Sequence, residues 1–533
     1  MSGAVFFAGA VSLGLEIVAS RVLAPFFGNS LNVWGALIGV VLTGLSVGYW
    51  VGGIIADRYP TPSLLVAILA LGALAILLIP VIDRAVLTAI VNWDPGPSLN
   101  PVIASVALFA PASIVLACVS PVAVRLRADR LTNLGRTAGR LFSVSTAGSI
   151  TGTFAAAFWL VPHVGTQKLL AIGAVVLLGV ASALAFSEGL KVHAPATAVL
   201  AAASVLVAGS FSTATTLTRA EAQNWSPAFR RAGLESGPRL ADYAGLKVLF
   251  QKDTKYHRLA VVDDPENGVR YLRFDASYQS GMKLADPVES EFGYTDLFHL
   301  ARLYRPDAKR ILLIGLGGGS MPKRWLRDFP DVTMDAIEVD PEVVTVAKKY
   351  FSLPDDPRLH IATTDGRIFL KNAKTSEKWD AIFVDAYYAD GIPFHLATSE
   401  FFDLTRRHLT PGGVLAMNSI GAVRGKQSKL LRSVVRTLQG VYPSVMVHPL
   451  WESTGDTPST VVNNMLVASM QPAITQKSLV DRYQKLASTN PLIPNLFKAI
   501  ADRWELPVQI NDVRDLTDDF APTDALLLDA SPE

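Results

Sequence analysis

The chain has 533 residues, half of them apolar, with 48 lysines and arginines against 46 aspartates and glutamates and a net charge of +2. The charges are unevenly spread: residues 1–215 hold 10 basic and 6 acidic residues, leaving 38 and 40 for the rest. That split excludes a wholly soluble protein, the absence of a basic stripe excludes a nucleic-acid footprint, and the lone Cys118 excludes an internal disulfide and a cysteine-based metal site.

A bilayer core takes about 20 apolar residues per helix. Such stretches are predicted near 4–24, 33–56, 64–82, 101–124, 138–161, 167–187 and 195–215, so residues 1–215 read as a transmembrane helical domain of about seven spans. The first does not read as a cleaved signal peptide: it lacks a basic start, carries Glu16 and Arg21, and further spans come after it. Small residues at Gly44 to Gly48 and Gly148 to Gly152 read as close helix contacts.

Glu16 and Arg21 are costly in hydrocarbon unless paired or wet. Five positions apart, they are poorly placed to pair on one helix face. They read either as partners across helices or as lining of a polar cavity. Asp57-Arg58 reads as an interfacial loop. The loop 125–140 carries Arg125, Arg127, Arg130, Arg136 and Arg140 against Asp129, which predicts a cytoplasmic face. Seven spans would place residues 216–533 on the opposite side, whereas a re-entrant or miscounted segment would not.

Residues 216–245 are polar, with Pro227, Gly233, Gly237 and Pro238, and read as a linker. Short alternating stretches at 247–250, 258–262 and 269–274, separated by Asp264-Pro265 and Asn267-Gly268, predict a small antiparallel β domain over 246–305 with a helical stretch around 290–304. From 306 to 533 the pattern becomes βαβ. Strands are predicted at 311–314, up to Asp340, and at 358–363, 381–384, 414–417, 444–449 and 463–469. Alternating strands and helices predict a doubly wound, mostly parallel sheet, whose ligands sit outside the carboxyl ends of the strands.

The residues suited to chemistry fall at those ends. Gly315, Gly317, Gly318 and Gly319 allow a tight turn and close approach to a nucleotide-like ligand. Glu338, at the second strand's end, suits ribose hydroxyls. Asp365-Gly366 closes the third strand and suits an adenine amino group. Asp385 closes the fourth, directly after an apolar run. Each acid alone is equally a helix cap or an ion-pair partner; three at successive strand ends behind a glycine loop favour a binding site. His257, His299, His360 and His395 lack paired spacing, so no metal is expected.

Several motifs in order make residues 245–470 resemble the spermidine synthase (polyamine aminopropyltransferase) family, within the class I S-adenosylmethionine-dependent methyltransferase fold. Asp275-Ala-Ser-Tyr-Gln279 resembles its D-G-x-x-Q turn, and Glu291-Phe-Gly-Tyr294-Thr-Asp296 its D-E-F-x-Y-x-E segment. Gly315 to Ser320 resembles the G-G-G-D-G loop, and Glu338-Val-Asp340 the E-I-D strand end. Asp365-Gly366 matches the D-G pair, and Asp385 to Gly391 the D-x-x-D-P-x-G loop. Gly14-Leu-Glu16, Asn32-Val-Trp34-Gly and Thr517-Asp-Asp519-Phe-Ala-Pro522 resemble segments of membrane-fused spermidine synthase-like proteins.

The resemblance implies a Rossmann-like, methyltransferase-type sheet and transfer of an aminopropyl group from decarboxylated S-adenosylmethionine to putrescine or a related amine. On it, Asp385 is the catalytic acid. Gln279 holds the donor's tail; Gly315, Gly317, Gly318, Gly319, Ser320, Glu338, Asp340, Asp365 and Gly366 complete the donor site. Tyr294, Asp296, Tyr388 and Asp390 bind the amine. The implied partners are the bilayer of the cell (inner or plasma) membrane and a small amine, with room for a homodimer.

Two family acids are replaced, by Ser320 and Tyr388, which removes negative charge from a site for cations. Serine repels the carboxylate of intact S-adenosylmethionine less than aspartate does. Asp390, Asp518 and Asp519 are the candidates to compensate. His448-Pro-Leu-Trp451 stands where a tyrosine-rich amine-binding stretch is expected. Two alternatives therefore stay open: a methyltransferase or other S-adenosylmethionine-consuming enzyme, and a transporter whose second half senses a polyamine or nucleoside without chemistry.

Overall fold

The computed structural model describes residues 1–27, 31–93, 95–96, 98–128, 134–164, 166–189, 246–275, 277–388, 391–523 and 526. The last candidate span (195–215), the linker (216–245) and Asp390 lie outside the described residues. The chain divides into two compact units, Met1–Glu221 with Lys252–Arg258, and Ala222–Gln251 with Leu259–Glu533.

The first unit is helical: α1 (Ser2–Phe27), α2 (Leu31–Arg58), α3 (Pro62–Trp93), α4 (Leu99–Leu108), α5 (Ala110–Ala117), α6 (Val119–Arg127), α7 (Leu134–Ala155), α8 (Val161–Val164) and α9 (Thr166–Ser187), with a π-turn at Ala156–Leu160 between α7 and α8. Among the described residues six helices are long and apolar enough to cross a membrane: Ser2–Ala24, Asn32–Arg58, Pro62–Trp93, Ala110–Arg127, Leu134–Leu160 and Lys168–Ser187. The predicted span 101–124 is instead three pieces joined at Phe109 and Cys118. Pro111 and Pro121 lie just after those joints, and each removes a backbone donor from the helical ladder.

Glycine lets α1 and α7 touch. A Cβ on Gly148 would lie 2.0 Å from the Phe6 carbonyl oxygen, and one on Gly152 equally close to that of Ala10. No other residue permits that backbone approach. At one end of the bundle Arg125 Nε lies 3.2 Å from Asp57. Glu16 and Arg21 do not pair: Arg21 donates to the Lys255 carbonyl oxygen at 2.8 Å, while the Glu16 side chain forms no hydrogen bond or ion pair among the described residues.

The second unit contains a four-stranded antiparallel sheet in the order β1 (Lys247–Asp253), β2 (Arg258–Asp264), β3 (Val269–Phe274) and β4 (Ser277–Lys283). β4 was not expected, because Ser-Tyr-Gln-Ser-Gly carries little strand signal; it forms because β3 turns back tightly at Asp275, whose φ is +51°. The register between β3 and β4 slips between Leu272 and Arg273, leaving Gln279 as the extra residue of a bulge. Such a bulge re-aims a side chain.

The larger sheet comprises β5 (Arg310–Ile314), β6 (Thr333–Glu338), β7 (Leu359–Thr363), β8 (Trp379–Val384), β9 (Leu409–Gly421), β10 (Ser444–Pro449) and β11 (Val462–Ser469), in the order β10-β11-β9-β8-β5-β6-β7. β5 to β9 are parallel and β11 runs antiparallel between β9 and β10. Both faces are covered, as a parallel sheet requires. Leu312, Ile314, Ile382 and Val384 join one core, while Ile311, Leu313, Ala381 and Phe383 join the other. From β5 the chain winds outward through β6 to β7, then returns to lay β8 on β5's other side. The strand order reverses between β5 and β8, which puts a crevice beyond Ile314 and Val384.

Candidate active site

Gly315 and Asp385, the residues just after those two strands, meet at this switch point. Asp385 donates its backbone N–H to the Ile314 carbonyl oxygen at 2.9 Å. Gly315 has φ +97°, and a Cβ there would lie 2.2 Å from the Asp385 carbonyl oxygen. The loop continues through Gly317 and Gly319, both at positive φ, into the helix Ser320–Asp328. Two side chains hold it. Ser280 Oγ accepts from Gly318 N at 2.9 Å, which ties the loop to β4 beside Gln279. Glu338 accepts from Leu316 N with one oxygen and from Asp340 N with the other, both at 3.1 Å.

Glu338 is therefore a buried carboxylate that holds the loop. Burial raises its pKa, and the donated backbone N–H groups of Asp340 and Leu316 oppose that rise. A carboxylate offers about four acceptor sites, and the backbone of Asp340, Leu316 and Gly317 draws on them. The Ser320 hydroxyl is buried and has no hydrogen-bond partner among the described residues.

The other predicted acids divide by role. Asp340 caps the helix Pro341–Tyr350, accepting from Glu342 N at 2.9 Å. Asp365 caps Gly366–Asn372, accepting from Ile368 N at 2.9 Å, and its second oxygen lies 2.8 Å from His395 Nε2. Burial works to raise the Asp365 pKa, but His395 and the helix N–H groups outweigh it and hold it low. Gly366 lies against Ile314, with room for no side chain.

Asp385 is set apart by its neighbours. Tyr294 donates its hydroxyl to one carboxylate oxygen at 3.3 Å, and Asn418 donates from Nδ2 to the other at 3.2 Å. No cation neutralises it among the described residues. Burial pushes its pKa up to about 6, against the pull of the Asn418 and Tyr294 hydrogen bonds. Tyr294 stays protonated, its pKa raised by burial and by the Asp385 charge. Tyr387 braces this wall, donating to the Asn418 carbonyl oxygen at 3.1 Å and accepting from Ile420 N at 3.0 Å.

Two other predicted amine-binding residues have surroundings of their own. Asp296 faces Arg324, 3.7 Å away, in a charge cluster with Glu289, Asp328 and His299. Tyr388 is exposed, its N–H bonded to the Gly391 carbonyl oxygen. Conversely, Asn418, Tyr387, Ser280 and His395 were not read as site residues. Asn418 carried a signal: it is polar and ends the apolar run Val414 to Met417, as Asp385 ends its own.

The Spermine/spermidine synthase domain family matches residues 291–478, which include Asp385, Tyr294 and Asn418. A polyamine aminopropyltransferase of Vibrio vulnificus is 31% identical over 288 residues, 52% of this chain and 91% of the relative. The chain belongs to the polyamine aminopropyltransferase family. A spermine synthase of Arabidopsis thaliana is 27% identical across 45% of this chain and 65% of its own length. A crystal structure of spermidine synthase from Thermotoga maritima aligns over 49% of this chain and 84% of its own, at 21% identity and a TM-score of 0.37.

Proposed function

We propose that this chain is a membrane-bound aminopropyltransferase that moves the aminopropyl group of decarboxylated S-adenosylmethionine to putrescine or a related amine. The observation that carries it is the convergence of Asp385, Tyr294 and Asn418 beside the glycine loop at the switch point. The glycine loop, Glu338, Ser320 and Gln279 would hold the donor, with Glu338 on the ribose. Asp340 and Asp365 act through the helices they cap, and His395 bonds to Asp365.

The donor supplies a sulfonium whose neighbouring carbon is already activated. The protein's task is alignment and proton management. The amine nitrogen forms a bond to the aminopropyl carbon, the C–S bond breaks with its electron pair going to sulfur, and methylthioadenosine leaves. The proton freed from nitrogen passes to Asp385, whose carboxylate is ionised at neutral pH and orients the amine with Tyr294.

We place residues 1–215 in the cell membrane as a multi-pass bundle, joined by 216–245 to the β domain 246–305 and the sheet domain 306–533. The six long apolar helices support this placement. Purified full-length protein given decarboxylated S-adenosylmethionine and putrescine should release methylthioadenosine and spermidine. Release of S-adenosylhomocysteine from intact S-adenosylmethionine, with no methylthioadenosine from the decarboxylated form, would instead make it a methyltransferase.

A further inference from the structure

We propose that Asp518, in the C-terminal segment, is a positioning residue for the donor site: it locks Arg367 and Thr398, and through them the loop that brings His395 to Asp365. This rests on the aminopropyltransferase reading above and extends it past the matched family domain, which ends at residue 478. Asp518 does not replace the acids missing at Ser320 and Tyr388. Both its oxygens lie 2.6 Å from the Arg367 guanidinium, so its charge is committed inside the protein.

The lock starts from a buried arginine. Arg367 follows Asp365-Gly366 in the helix Gly366–Asn372. A guanidinium buried there calls for a carboxylate in its own plane, and Asp518 supplies one as a two-bond fork. Arg367 Nη1 also donates to the His395 carbonyl oxygen at 3.1 Å. Thr398, fully buried, caps the helix Ser399–His408 and donates its hydroxyl to Asp518 at 2.9 Å. Main-chain groups complete the tie: Ser399 N donates to the Leu516 carbonyl oxygen at 2.8 Å, and Asp518 N donates to Glu400 at 3.1 Å.

These bonds fix both sides of one residue. The His395 carbonyl is held by Arg367, and its ring Nε2 lies 2.8 Å from Asp365, the donor-site acid just after β7. A continuous chain of hydrogen bonds thus runs from Asp518 through Arg367 and His395 to Asp365. Removing the Asp518 charge leaves a buried guanidinium without its counter-ion, free to pull on the His395 and Thr398 oxygens. The same segment carries an internal control. Asp512 forms a second fork, on the buried Arg432 of the helix Lys429–Gln439, and Arg432 bonds further to Ser428 and the Gln509 carbonyl oxygen.

The test is calorimetry on full-length protein with methylthioadenosine, which carries the adenosyl part of the donor without the aminopropyl tail, beside steady-state kinetics with decarboxylated S-adenosylmethionine and putrescine. Asp518→Asn should weaken methylthioadenosine binding and raise the donor KM by about threefold to tenfold, with the putrescine KM and the kcat at saturating donor unmoved. Asp518→Glu, which keeps the charge, should recover part of the loss, and Asp512→Asn should leave methylthioadenosine affinity unchanged. Equal weakening in Asp518→Asn and Asp512→Asn would make the segment a general brace and overturn the assignment. So would a fall in kcat in Asp518→Asn with donor KM and methylthioadenosine affinity unchanged. Either result leaves aminopropyl transfer standing. A wild type that binds methylthioadenosine but transfers no aminopropyl group overturns the reaction, and the calorimetric comparison still decides the role of Asp518.

Discussion

Asp385 and Glu16 are carboxylates of the same apparent kind, each set in an apolar stretch of one of the two units, and the structure treats them differently. Asp385 ends a buried strand where the sheet's winding reverses, and side chains from two distant segments, Tyr294 and Asn418, both donate to it. Glu16 stands midway along α1, with no such donors among the described residues. A charge in an apolar run is expensive in either setting. The contrast teaches that expense alone does not mark a reacting group. Convergence does: two donors that hold a carboxylate in one orientation, beside a loop kept open by glycine, make a place where an amine can be aligned.

The sharpest way to break this comparison is to neutralise each acid in turn. Asp385→Asn keeps the shape of the wall and removes the proton acceptor. Aminopropyl transfer should fall by about 10²–10⁴-fold, the usual contribution of a positioned acid or base, while calorimetry should still detect donor binding. Glu16→Gln should leave transfer in detergent within about twofold, since Glu16 bonds to none of the side chains that hold Asp385. Equal losses in the two variants would mean that the unit containing Glu16 takes part in the chemistry.

Glu338 gives an intermediate effect. Its oxygens already accept from Leu316 and Asp340, so it holds the loop whatever it does for the donor. Glu338→Ala should weaken donor binding by about 1–3 kcal/mol through lost hydrogen bonds to a charged group, read by titration with decarboxylated S-adenosylmethionine. Unchanged donor affinity would confine this carboxylate to bracing the loop.

These residues also show what the sequence made legible. Asp385 was readable because its neighbours in sequence, Ala381 to Val384, form an apolar run that a carboxylate ends at a cost. The glycine loop and the two capping acids were readable for the same local reason, although Asp340 and Asp365 then spend one oxygen each on helix N–H groups. Gln279 was found only through its motif, since the strand that carries it is polar and the bulge that re-aims it depends on pairing with β3. Asn418 was overlooked despite an equivalent signal, because its meaning comes from Asp385, 33 positions away.

The smallest effect tests how the Asp385 wall tunes its acid. Burial raises the carboxyl to about 6, and the bonds from Asn418 and Tyr294 keep it from rising further, because they favour the charged form. A base must be ionised to accept the amine's proton, so kcat/KM should fall on the acid side with an apparent pKa near 6. Asn418→Leu removes one of those donors while keeping the wall dry and the backbone carbonyl that receives Tyr387. With less to favour the charge, the carboxyl should titrate higher, moving the acid limb upward by about one pH unit and leaving the rate above it nearly unchanged. Tyr294→Phe should move the limb in the same direction by less, with an added loss of amine alignment in KM. A limb that stays in place, or moves down, in Asn418→Leu would mean that the group titrating in the profile is not Asp385.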